Sequence, residues 1–127
     1  MIATSIEQSK HLMELGIPKE SADMFYTPIN NDYWLQVRTP LVDLAYNEIP
    51  AWSLSALINM LPGIIKINDS IVNWYWFHLN KKPYQISYGN SLGLSGEWHD
   101  YYSSPQRENL VDVCFETIVW LKENNKI

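Results

Sequence analysis

A chain of 127 residues with a formal charge of −5 and no basic cluster argues against nucleic-acid binding, because phosphate affinity comes mainly from Lys and Arg. Its composition, 46% hydrophobic and 18% charged, excludes a disordered chain and predicts one domain over residues 1–127. The lone Cys114 excludes an internal disulfide, and with no leader-like start and no run near the roughly 20 apolar residues of a membrane helix, a cytoplasmic protein away from membranes is predicted.

The first predicted element is a short helix capped by Thr4 or Ser5, with Ile6, Leu12, Met13 and Leu15 on its apolar side. Gly16 stands where a left-handed residue closes a helix. Pro18 opens a second, shorter helical turn over 19–25, with Ala22, Met24 and Phe25 inward. From 26 to 49 the pattern is weak, broken by Pro28, Asn30, Asn31 and Pro40. Within it, residues 33–39 read as an edge strand or an extended loop.

Ser53 is a good N-cap for the next helix, 53–61. Leu54, Leu57, Ile58 and Leu61 recur there at helical spacing, and Pro62-Gly63 ends it. Residues 70–79 are rich in strand-favouring aromatic and β-branched types. Lys81-Lys82-Pro83 reads as a solvated turn. Tyr84, Ile86 and Tyr88 alternate with Gln85 and Ser87, as in a half-buried strand. A hairpin over 70–88 follows, then a glycine-rich loop over 89–96.

Ser103-Ser104-Pro105 matches a helix start. Leu110, Val113, Cys114, Ile118 and Leu121 form the stripe of a last helix over 105–124, widened by Val111, Phe115 and Val119. The expected fold is α+β: a small antiparallel sheet around the 70–88 hairpin, packed by helices near 53–61 and 105–124.

Several segments together resemble a family of small uncharacterised bacterial proteins. They are Leu15-Gly16-Ile17-Pro18 with Ser21-Ala22-Asp23-Met24, then Ile49-Pro50-Ala51-Trp52-Ser53-Leu54-Ser55-Ala56-Leu57, and Trp120-Leu121-Lys122-Glu123-Asn124. The family is associated with gut anaerobes and with phage-like or mobile elements. The resemblance implies a bacterial setting and supplies no activity and no catalytic residues.

Glu97-Trp98-His99-Asp100 is the nearest approach to a chemical cluster, since a histidine beside carboxylates can act as a base or hold a metal. Adjacent residues rarely converge on one ion, however, and His11 and His78 are distant in sequence. No metal, cofactor or catalytic residue is therefore assigned. Cys114, on the apolar stripe of the last helix, is expected to be inert.

The aromatic content is the most informative feature. The chain holds six Trp, eight Tyr and three Phe, and Trp74, Tyr75, Trp76 and Phe77 are consecutive. On a strand, Trp74 and Trp76 face one side and Tyr75 and Phe77 the other, so both faces need cover, from segment 26–49, from the loop 89–104 or from a partner. The favoured expectation is a non-enzymatic interaction protein that binds a protein partner or a second copy. Its candidate binding residues are Trp74, Tyr75, Trp76, Phe77, Trp98 and His99. The alternative is a small enzyme or ligand-binding domain with a pocket near residues 97–100.

Overall fold

A computed structural model of the chain describes residues 2–39, 43–81, 83–93 and 95–127. Pro40 and Lys82, read above as punctuation and turn, lie outside the described residues. The fold class is α+β as expected, but with two small antiparallel sheets where one was expected. By Cα proximity the chain divides into two compact units, 1–60 and 61–127.

In the first unit, helix α1 (Ile6–Glu14) starts on a capping box. Ser5 accepts from the Gln8 backbone N–H at 3.1 Å, and the Gln8 side chain accepts from the Ser5 N–H at 3.0 Å, so two otherwise free donors are satisfied. Gly16 ends the helix at φ 86°, a conformation that a Cβ disfavours. Leu12 is buried, whereas Met13 faces solvent, contrary to the expected stripe.

The expected helical turn over 19–25 stops early. A single 3-10 turn occupies Lys19–Ser21, and Met24 and Phe25 belong instead to strand β1 (Met24–Ile29). Asn30 and Asn31 follow at φ 51° and 67°. Two successive left-handed residues make the tight turn that matches strand twist, and they return the chain as β2 (Asp32–Val37). This is an edge strand, within a residue or two of the span expected. Strand β3 (Ile49–Ala51) pairs on the other side of β1, giving the order β2-β1-β3.

Both prolines sit where a missing N–H is tolerated: Pro50 on an edge strand, and Pro28 beyond the reach of β3. Helix α2 (Leu54–Met60) follows, with the Ser53 hydroxyl accepting from the Ala56 N–H at 3.2 Å. The core of this unit gathers Leu12, Ile17, Ile49, Ala51, Trp52 and Leu57.

The second unit is a four-stranded meander with an α-helix. Strands β4 (Ile64–Lys66), β5 (Trp74–Asn80), β6 (Gln85–Asn90) and β7 (His99–Ser103) pair in chain order. The expected hairpin is β5–β6, in register from Trp76 with Gly89 to Asn80 with Gln85. Gly89 thus belongs to a strand rather than to the glycine-rich loop.

Helix α3 (Leu110–Glu123) begins at Asn109, not at Ser103 or Ser104. The Asn109 side chain accepts from the Val111 N–H at 2.8 Å. Ser104 is unavailable as a cap because its hydroxyl is buried in the sheet, accepting from the Ile86 N–H at 2.9 Å. Val111, Val113, Cys114, Ile118 and Leu121 are fully buried, while Phe115 is only half-buried. Among the described residues, no helix is long and apolar enough to cross a membrane.

Candidate functional site

Alternation along β5 and β6 separates the second sheet into two chemically different faces. One carries Tyr75, Phe77 and Leu79 from β5 with Ile86 and Tyr88 from β6. A bulge in the β6–β7 ladder pairs Tyr88 with Tyr102 but Gly89 with Asp100, leaving Tyr101 as the extra residue. Both tyrosines thereby reach Trp120 of α3, Tyr102 stacked at 4.2 Å and Tyr101 edge-on at 5.9 Å. Tyr75 stacks on Tyr101 at 4.6 Å, and Phe77 meets the edge of Tyr88 at 5.8 Å. Each such pair adds about 0.5–1.5 kcal/mol beyond its buried area. This face is core.

Tyr88 is sealed within it, its hydroxyl donating to the Pro62 carbonyl at 2.7 Å. Burial lifts the Tyr88 phenol above its ordinary range, and Cys114 and Tyr102 nearby add to the shift. Burial also pushes the Cys114 thiol up to about 11, so it stays protonated at neutral pH. A buried thiol in that state is no nucleophile, in line with the expectation for this residue.

The opposite face is open. Across neighbouring strands it places His78 and Asn80 of β5 beside Gln85 and Ser87 of β6, then Ser103 and Asp100 of β7. These residues and Trp98 line a groove of about 360 Å³. Ser87 is almost fully buried; His78, Asn80 and Asp100 are exposed.

Trp98, 46% exposed, is the aromatic element of this groove, and its position is fixed twice. Its indole N–H donates to Asp100 Oδ1 at 2.6 Å. Its ring lies over Gly89, where a Cβ would come within 2.7 Å of Trp98 Cε2 and Nε1 and would also meet the His99 carbonyl oxygen. The His78 ring stands 5.5 Å from the Trp98 ring, tilted, and its Nε2 shares a 2.9 Å hydrogen bond with Asn80 Oδ1. Gln85 donates to the Ser104 carbonyl at 2.8 Å.

Of the six candidate binding residues, Trp98 alone lines this groove. Tyr75 and Phe77 serve the core face. Trp74 lies under the Lys66 ammonium at 4.2 Å and donates to the Asn68 carbonyl at 2.8 Å. Trp76 is half-buried opposite Gly89. His99 is one residue out of phase with Asp100, and its ring stands near Gly93 rather than in the groove. Glu97 is exposed and does not line the groove.

Of the other residues lining the groove, sequence reading considered His78 only as a metal ligand and singled out none of Asn80, Gln85, Ser87 and Ser103 as site residues. Their signal is the polar alternation His78-x-Asn80 and Gln85-x-Ser87 on the two arms of the hairpin. Among the described residues, no three His, Cys, Asp or Glu side chains are grouped so as to hold a metal ion.

The first unit has a depression of similar size, about 350 Å³, lined by Ser21, Asp23, Arg38 and Asp43 among others. Two of its polar side chains hold structure, and the Arg38 Nε is buried without a hydrogen-bond partner among the described residues. Asp23 accepts from both the backbone N–H and the hydroxyl of Ser53, and Arg38 donates to the Lys19 carbonyl at 2.6 Å.

Comparison with known proteins adds no relative: no protein-family model, curated protein or solved structure matches the chain.

Proposed function

We propose that the protein is a non-enzymatic binding module whose binding surface is the open face of the second sheet around Trp98. The observation that carries this reading is a large aromatic side chain left nearly half exposed yet held by Asp100 and seated on Gly89. An exposed ring already fixed in place loses little freedom when a ligand arrives. Binding is favoured over catalysis because the His78 ring nitrogen bonds the Asn80 amide, and Asp100 serves Trp98. The Ser103 hydroxyl lies only at the long distance of 3.5 Å from Asp100 Oδ2, and among the described residues no histidine is bonded to it to serve as its base. The resemblance to bacterial proteins and the lone cysteine support a bacterial cytoplasm as its setting.

The test is to probe peptide and glycan arrays with the wild type and with Trp98→Ala. A ligand retained by the wild type and lost in the variant is expected. Binding that is indifferent to Trp98, or no binding to either array, would overturn the reading.

A second reading, association with a protein partner or a second copy, is favoured by an apolar patch in the same unit. Asn90 donates to the Val72 and Trp74 carbonyls at 3.1 and 2.7 Å and accepts from the Leu92 N–H at 3.3 Å. Asn90 thus ties the Leu92 backbone to the Val72 carbonyl, and Ile71, Val72 and Leu92 are 53%, 50% and 42% exposed. Exposed apolar clusters mark interfaces. Under this reading, light scattering gives a dimer mass that Val72→Asp returns to the monomer. A wild type that stays monomeric at high concentration counts against self-association.

A further inference from the structure

We infer that the ligand of the open sheet face is a neutral saccharide, lying against Trp98 and hydrogen-bonded by the amide, hydroxyl and imidazole groups of the groove. The inference rests on reading this face as a binding surface and adds the class of ligand. The lining chemistry selects it by what each alternative would require.

A phosphate or other anion needs cationic partners. Among the described residues the groove has no Lys or Arg in its lining, and Asp100 would repel negative charge. A metal cation needs several oxygen or nitrogen ligands converging on one point, whereas Asp100 is the lone acid among the described lining residues and its Oδ1 is bound by the Trp98 indole. A lipid or other apolar ligand would cover the Asn80 amide N–H groups and the Gln85 side-chain carbonyl, which lie beyond the bonds His78–Asn80 and Gln85–Ser104, without giving them partners. Each buried polar group left unpaired costs about 1–3 kcal/mol.

A sugar meets all of these conditions. Its hydroxyls both donate and accept, which suits side-chain amides and hydroxyls with the same double capacity. Its ring C–H groups, slightly positive, fit against the electron-rich face of an indole. The groove is an open face of a sheet rather than an enclosed cavity, so the ligand lies across it and keeps part of its own hydration. Binding of this kind is weak, on the order of 1 mM, and the titration must extend well above that.

The experiment uses the full chain, labelled with ¹⁵N, and follows the Trp98 indole N–H cross-peak, assigned by its loss in Trp98→Phe. The probes are maltose, lactose, cellobiose and N,N′-diacetylchitobiose, together with the strongest glycan from an array. The expected result is a saturable shift of the Trp98 indole signal and of the amides of residues 78–87 with at least one probe. Combined substitution Asn80→Ala and Gln85→Ala should weaken that response at least tenfold while the remaining spectrum stays folded. The double variant matters because Trp98→Ala alone could disturb β7 through Asp100.

No shift with any probe, or an equal shift in the double variant, overturns the saccharide assignment. If peptides bind in a Trp98-dependent way while no sugar does, the binding face stands and the ligand class falls. If neither binds, both fall.

Discussion

Trp52→Ala is expected to lower the stability of the first unit by about 3–5 kcal/mol, the range for truncating a buried large aromatic side chain. Trp52 has no exposed surface, and it links three segments of that unit. Its backbone N–H donates to Thr4 Oγ1 at 3.1 Å and its carbonyl accepts from the Thr4 N–H at 2.9 Å. Its indole N–H donates to Ser21 Oγ at 2.9 Å. The backbone bonds survive the substitution, and Ser21 is exposed enough for water to replace the indole. The loss is therefore mostly buried apolar volume and the cavity left behind.

Trp52→Phe isolates that term. It keeps most of the apolar volume and forfeits the indole hydrogen bond, so it should cost distinctly less. Urea denaturation followed by circular dichroism measures both. A loss below about 1 kcal/mol in Trp52→Ala would show that Trp52 is not the centre of this core. The expected loss is a large share of the 5–15 kcal/mol that a typical domain has in total, so a partly unfolded variant at room temperature is also a consistent outcome.

Elements governed by local rules were legible in the sequence. Gly16 announced the end of α1 and Ser53 the start of α2, because capping is decided within a turn of the chain. The β5–β6 hairpin was legible from its aromatic density and its alternation. Strand β1 was not. Its Pro28 and the acidic and polar residues just before it read as a helical turn and a break, since nothing local reveals that Pro28 lies beyond the strand that pairs with its neighbours.

The Asn30-Asn31 turn was a usable signal. Asparagine is among the few residues that adopt left-handed geometry at low cost, and two together between strand-like runs fit a hairpin. Ser104 misled for the opposite reason. Its place before Pro105 fits a helix start, but a long-range bond with Ile86 outcompetes the local role.

The site divides in the same way. Trp98 and Asp100 stood out as neighbours, whereas the groove is assembled by the register of three strands. The sequence places His99 beside Asp100, while the pleat turns its ring away from the groove, toward Gly93. The aromatic run Trp74–Phe77 pointed to a surface needing cover, and Tyr75 and Phe77 find that cover within their own unit, on Tyr101 and Tyr88.

Gly89→Ala is expected to destabilise the second unit by about 1–3 kcal/mol, the usual range for forcing atoms into packed space, and to abolish the binding proposed for the groove without replacing any of its polar side chains. Replacing a glycine by alanine ordinarily stabilises by about 0.4–1 kcal/mol, by restricting the unfolded chain. Here the native conformation has no room for the methyl. It would meet the His99 carbonyl oxygen, which is backbone and part of the β6–β7 pairing, and would press on the Trp98 ring at 2.7 Å. The ring can swing away, but only by breaking its bond to Asp100; the carbonyl can move only by spreading the strands. The clash therefore outweighs the entropic gain.

Gly63→Ala is the matched control. Among the described residues nothing would stand within 4 Å of its Cβ, so it should be neutral or slightly stabilising. Chemical denaturation of both variants, with the Trp98 indole cross-peak as the local readout, makes the comparison. If Gly89→Ala proves as stable as Gly63→Ala and leaves the indole signal in place, then the seat of Trp98 on the strand is wrong. The fixed aromatic surface on which the binding proposal stands would go with it.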